Sequence, residues 1–245
     1  MTQLPRAAAS LERDLRAIFG ARLQSLVVYG GHARRAPADH GSHDHGHDTA
    51  THAMAIVDTL TADDLGACAA RVPAWHDAGC ATPLLLAAHE FARALDAFPL
   101  EFGAILADHA VVAGRNPFDG LRVDAADVRR ACEVQARSHL LHLREGFLET
   151  RGRPDALAVL IVDSAPAFAA LLASIARLQG VGDGDASAVS RHAERALHVP
   201  GGIIGDVMRL ADVTEIPSAE AVRIFPAYLD AVERLVQLVD AWRAR

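Results

Sequence analysis

Two glycines, Gly30 and Gly31, follow the short β-branched run Leu26-Val27-Val28-Tyr29, and His32 and Arg34 come directly after them. Glycines at the end of a strand let the backbone turn tightly and bring main-chain N–H groups close to an anion such as a phosphate. Arg34, and His32 when protonated, add positive charge at the same place. A second group of residues is the tract His43-Asp44-His45-Gly46-His47-Asp48. Imidazoles at alternate positions with carboxylates between them suit Zn²⁺ or Ni²⁺, with His40 or His52 as a further ligand. Such a solvated tract also binds metal adventitiously. The sequence holds no Gly-x-Ser-x-Gly, Walker loop or Cys/His dyad spacing, so ordinary hydrolase and ATPase readings have no residue to rest on.

The elements that must position these residues are legible from periodicity. Leu11, Leu15 and Ile18 mark one face of a helix from Leu11 to Phe19, with Ser10 as its expected cap and Gly20 as its stop. Leu26 to Tyr29 is a buried strand. Arg35 to Ala50 has no apolar periodicity and reads as a His-rich loop. Met54 to Val57 and Thr82 to Ala87 read as strands. A helix capped by Thr61 runs through Ala69 to His76, and a second covers His89 to Asp96. Phe98 to Ile105 reads as a fourth strand.

After Gly120 the pattern turns helical. Helices are expected from Asp124 to Glu149, from Asp155 to Gln179 and from Ala186 to Leu197. Pro200-Gly201-Gly202 is a turn. A last helix, capped by Ser218, should be broken or kinked at Pro226. The Asp155–Gln179 helix is apolar nearly all round, as the central helix of a bundle would be. His139, His142, Arg137 and Arg144 read as the wet side of their helix. Ser164 is expected to join a buried polar pair with Asp163 or to bond a backbone carbonyl.

The expected architecture is α+β. Residues 1–120 form an α/β domain with a mixed sheet, interrupted by the His-rich loop at 35–50, and residues 121–245 form a helical bundle.

Composition narrows the function classes. The net charge is −7 with no long Lys/Arg run, which argues against a nucleic-acid surface. Cys68, Cys80 and Cys132 are odd in number and widely spaced, as in a cytoplasmic protein without a disulfide framework. The N-terminus lacks a signal-peptide pattern, and no uninterrupted apolar run of about 18 residues suggests a membrane span.

The run Val27-Val28-Tyr29-Gly30-Gly31-His32-Ala33-Arg34 resembles the opening of bacterial polymerase-β-like nucleotidyltransferases, where the pattern is apolar-apolar-Tyr-Gly-(Ser or Gly)-x-Ala-Arg. Further short pieces are similar in the same order: Leu84-Leu85-Leu86 with His89-Glu90, Phe98-Pro99-Leu100-Glu101-Phe102, Val112 to Phe118, and Arg137 to Arg144. Together they span about Leu11 to Leu148.

The resemblance implies a nucleotidyltransferase fold in which the second strand supplies an Asp-x-Asp pair for divalent metal. Here those positions are His52 and Met54. Hard carboxylate oxygens suit Mg²⁺, whereas imidazole and thioether do not. The resemblance therefore implies a catalytically degenerate member that binds a nucleotide or anion through Gly30, Gly31, His32 and Arg34. Two alternatives stand beside it. One is an active, Mg²⁺-dependent transferase with a rearranged site built from Asp58, Glu101 and a loop aspartate (Asp39, Asp44 or Asp48), Glu101 falling where the family has a third carboxylate. The other is a helical interaction protein that pairs with a second copy of itself.

Overall fold

The computed structural model describes residues 6–30, 50–181 and 186–242. The chain divides into two compact units, Met1–Val123 and Asp124–Arg245.

The first unit is built on a four-stranded sheet with β1 (Leu23–Tyr29), β2 (His52–Val57), β3 (Leu84–Ala87) and β4 (His109–Gly114) in the order β3-β2-β1-β4. β1 runs antiparallel to both neighbours, while β2 and β3 are parallel, so the sheet is mixed. Side chains alternate between faces along the strands apart from register shifts at Leu23/Ser25 and Leu26/Val27, and both faces are apolar. On one face Leu26, Val28, Ala53, Ala55 and Val57 pack with Leu11, Leu15 and Phe19 of α1 (Arg6–Phe19), Cys68 of α2 (Ala62–Ala69) and Trp75 of α3 (Val72–Asp77). Trp75 Nε1 donates to the buried Asp14 carboxylate at 3.1 Å, which ties α3 to α1. On the other face Val27, Met54 and Ile56 pack with Phe91, Ala94 and Leu95 of α4 (Ala88–Ala97), Phe102 and Ile105 of α5 (Pro99–Ala107), and Phe118.

Several local expectations change. Phe98–Ile105 is not a strand: it lies in α5, where Pro99 sits at the first turn and needs no partner for its missing N–H. The fourth strand is His109–Gly114, which follows directly. The helix expected through His76 is two helices, because Pro73 cannot donate within a continuous one. Ser10 lies inside α1 rather than at its cap. Thr61 does cap α2: its hydroxyl accepts from the Asp64 N–H at 3.2 Å, and the Asp64 carboxylate answers the Thr61 N–H at 3.0 Å. Arg22 then grips the same carboxylate through two bonds of 2.7 and 2.8 Å and holds it well below the usual carboxylate range.

The second unit packs α6 (Ala125–Glu149), α7 (Pro154–Leu178) and α10 (Ser218–Ala241) against one another, with α8 (Ala186–Leu197) and α9 (Ile203–Arg209) beside them. The sequence reading missed α9, which is only seven residues long. Asp124 caps α6 through its carboxylate. Pro217, not Ser218, precedes the last helix. Pro226 does not end that helix: it and Val222, whose carbonyl it leaves without a helical donor, both face solvent. By length and composition α7 could cross a bilayer; its residues Leu157, Ile161, Ala165, Phe168 and Leu172 are buried in the bundle.

His139 does not share the wet face of its helix. Only 8% exposed, it meets the Tyr228 hydroxyl at 2.8 Å and stacks on Phe168. Ser164 Oγ donates to the Ile161 carbonyl and lies 3.2 Å from the same hydroxyl, while Asp163 is exposed. Arg137, His142 and Arg144 are exposed, and the two arginines pair with Asp240 and Glu233 of α10.

Two outcomes follow from this packing. Gly114 has φ +74°, and a Cβ there would stand 2.0 Å from the Gln24 carbonyl oxygen. Gly30 has φ +82°, and among the described residues nothing stands within 4 Å of a Cβ there. In urea unfolding, Gly114→Ala is expected to cost about 3 kcal/mol or more, against about 1–2 kcal/mol for Gly30→Ala, which meets only the backbone strain. Burial, with a smaller contribution from the charge of His142, pushes His139 down from 6.5 to about 4. The folded state therefore keeps it neutral where the unfolded chain takes a proton. That stabilisation is complete above pH 6.5 and is lost as pH falls toward 4, to about 3 kcal/mol. Urea titrations over that range should show a steeper loss for the native protein than for His139→Gln by about that amount.

Candidate functional site

The sheet has two chemically distinct ends, fixed by strand register. At one end β1 finishes and β2 begins, with Tyr29 opposite His52 on one side and His109 on the other. Gly30 turns away in the left-handed region, and its N–H donates to the Asp108 carbonyl at 3.2 Å. That donor is therefore not free for an anion. The Tyr29 and His52 rings lie 5.8 Å apart. Burial raises the Tyr29 hydroxyl pKa, and the charge of Glu101 raises it further, so Glu101 belongs to this end. Glu101 projects from the first turn of α5 and is exposed, not on the strand expected for Phe98–Ile105.

Met54 lies on the same face of β2 as His52, two residues on, but is 1% exposed inside the aromatic cluster of Phe91, Phe102 and Phe118. Asp58 falls at the other end. β2 finishes opposite the start of β1, where the Asp58 N–H donates to the Arg22 carbonyl at 2.9 Å and its carboxylate accepts from Gln24. The seven residues of β1 span the two ends, roughly 20 Å at strand rise. The structure thus does not bring Asp58 and Glu101 together.

Gly31, His32 and Arg34, together with His40, His43, His45 and His47 and the loop aspartates Asp39, Asp44 and Asp48, lie outside the described residues. Among the described residues no group of three or more His, Cys, Asp or Glu side chains is arranged to hold a metal ion. Cys68, Cys80 and Cys132 are buried free thiols. Burial raises all three, Cys132 to about 12, which makes them poor thiolate ligands or nucleophiles.

Sequence reasoning missed the polar cluster that follows β4. The ring nitrogens of His109 lie 3.1 Å from the Ile105 and Leu106 carbonyls and 3.1 Å from Asn116 Oδ1. Asn116 Oδ1 also accepts from the Phe118 N–H at 3.0 Å. The Asn116-Pro117 pair is a turn signal, and an Asn accepting from the residue two places on is the bond such a turn uses.

No protein-family model matches this sequence, and no curated protein matches it. Among solved structures the chain is similar to spectinomycin adenyltransferase AAD(9) from Enterococcus faecialis, solved with ATP and spectinomycin. The TM-score is 0.55 and the identity 10%, over 95% of this chain and 99% of that one. At that identity the likeness is one of fold, and it is a nucleotidyltransferase fold: an N-terminal α+β unit on a mixed four-stranded sheet, followed by a helical C-terminal region.

Proposed function

We propose that this chain is a nucleotidyltransferase-fold binding protein without transfer chemistry. It holds a nucleotide or a related anion at the turn after β1, through Gly31, His32 and Arg34 with Gly30 setting the turn, and serves a binding or regulatory role in the cytoplasm. The observation that supports this reading best is the environment of Met54. Where the family resemblance asks for a metal-binding carboxylate, a thioether lies within an aromatic cluster and is 1% exposed. An ionised carboxylate in that place would need a partner or a metal to offset its desolvation. Among the described residues Glu101 and Asp108 stand at that end of β1, and neither lies on β2, where the resemblance places the metal-binding pair. If the His-rich tract holds Zn²⁺ or Ni²⁺, the ligands would be His43, His45 and His47 with His52.

A second reading, an interaction role for the helical unit, draws on Val134, Leu141 and Leu148. These recur every seven residues on α6 and are 65%, 63% and 74% exposed. A homodimer would cover such a stripe.

Thermal unfolding with ATP and GTP, with and without Mg²⁺, tests the first reading. A nucleotide that binds the native state at 100 times its Kd adds about 2.7 kcal/mol and raises the midpoint. Arg34→Ala should abolish the shift. Absence of a shift with either nucleotide would remove the binding role, and Mg²⁺-dependent pyrophosphate release would remove the claim of no transfer. In a companion experiment, Met54→Asp should lose about 3–5 kcal/mol in urea unfolding, as expected for a carboxylate forced into an aromatic core. His52, half-buried at the rim, should tolerate Asp.

A further inference from the structure

The end of the sheet away from Gly30 carries a cleft of about 330 Å³, whose lining includes Gln24, Ile56, Phe91, Arg115, Asn116 and Asp119. It opens where β2, β3 and β4 finish and α4 begins, which in open α/β sheets is a place where ligands sit. Ile56, Ala88, Phe91 and Pro117 supply an apolar lining. The backbone of the far wall is fixed: Ser25 Oγ donates to the Arg115 carbonyl at 2.8 Å, and Gly114 alone fits the close approach to Gln24.

Arg115 and Asp119 line this cleft with opposite charges, yet among the described residues neither makes an ion pair, with the other or with anything else. The Arg115 guanidinium touches one neutral group, Gln24 Oε1 at 3.2 Å. The amide of Asn116 is oriented by its two bonds at Oδ1, which leaves its NH₂ end without a partner among the described residues. The start of α4 is closed by its own Glu90, whose carboxylate takes the Ala87 N–H at 2.7 Å, so the helix end is not the anion site.

We propose that this cleft binds a small zwitterion of the free amino acid class. The ligand carboxylate pairs with Arg115, which offers the planar fork that carboxylates favour, and its ammonium pairs with Asp119. The apolar part of the ligand lies along Ile56 and Phe91. A simple anion would leave Asp119 as a repelling neighbour, and a simple cation would meet Arg115, so a ligand that carries both charges is the chemistry that satisfies the cleft. The site stands at the opposite end of the sheet from the Gly30 turn and does not rest on the nucleotide reading.

The test is calorimetric titration of the full chain with the twenty free amino acids, each compared with its N-acetyl and methyl-ester forms. At least one free amino acid should bind with a Kd of about 1 mM or tighter, and each blocked form should bind about tenfold more weakly. Arg115→Met should weaken the free amino acid about tenfold or more while leaving the methyl ester unchanged, and Asp119→Asn should do the same with the N-acetyl form unchanged. Both side chains are exposed, so an unchanged melting midpoint serves as the check on folding. The proposal is overturned if no free amino acid binds, if the blocked forms bind equally well, or if neither substitution changes the affinity.

Discussion

The first unit depends on the pairing of β1. It is hydrogen-bonded antiparallel on both sides, to β2 and to β4, and is covered by apolar residues on both faces. A strand in that position has no freedom of register. Sliding it by one residue would exchange Leu26 and Val28 for Val27 and Tyr29 against α1 and would break both ladders at once. The register in turn fixes what stands at each end. Gly30, Thr51 and His52 stand at one end, whereas Asp58, the start of α4 and the loop after Gly114 gather at the other. Gly114 closes the arrangement, since only a residue without a Cβ lets β4 approach the Gln24 carbonyl so closely.

The same pairing bears on why residues 52 and 54 should be read together. They share a face of β2, but their surroundings differ. His52 sits at the rim beside Tyr29, while Met54 is one step deeper beneath α4 and α5. An acid at 54 and the ring cluster of Phe91, Phe102 and Phe118 are mutually exclusive unless a cation is held between them. A polarisable, unbranched thioether fits against aromatic edges. On the proposed reading, loss of the carboxylate and acquisition of the apolar cover are one physical change rather than two.

Much of this fold was legible in the sequence, and the failures share a cause. The β1 run, the Thr61 cap, and the spans of α6, α7 and α8 are signalled by local chemistry: β-branched runs, a hydroxyl cap, and long apolar periods. Phe98–Ile105 is a short apolar run, and a buried strand and a buried helix look alike over eight residues. The sheet position went instead to His109–Gly114, whose alternation is weak and whose partner strand lies some 80 residues earlier. His139 was assigned to the wet face because its neighbours Arg137, His142 and Arg144 are there. Its burial depends on Tyr228 and Phe168, which no local pattern connects to it. The cleft was invisible for the same reason, since Gln24, Ile56, Phe91 and Arg115 come from four separate elements or loops.

Coupling between the two ends of the sheet would require a structural element with two arrangements, each preferred by one ligand. One route between them is the 3.1 Å contact of His109 with Asn116; another is β1, which offers a single arrangement. Its side chains are close-packed on both faces, and its ladders admit no intermediate register. The α4–α5 side is no better suited, because Phe91 touches both Phe102 and Phe118 edge-on, at 6.0 and 5.5 Å between ring centres. Turning the Phe91 ring would disturb both contacts at once. A ligand at the Gly30 turn and a ligand beside Arg115 would each stabilise the same folded unit. A rigid sheet that keeps its ends about 20 Å apart is a scaffold on which two recognition sites can evolve separately.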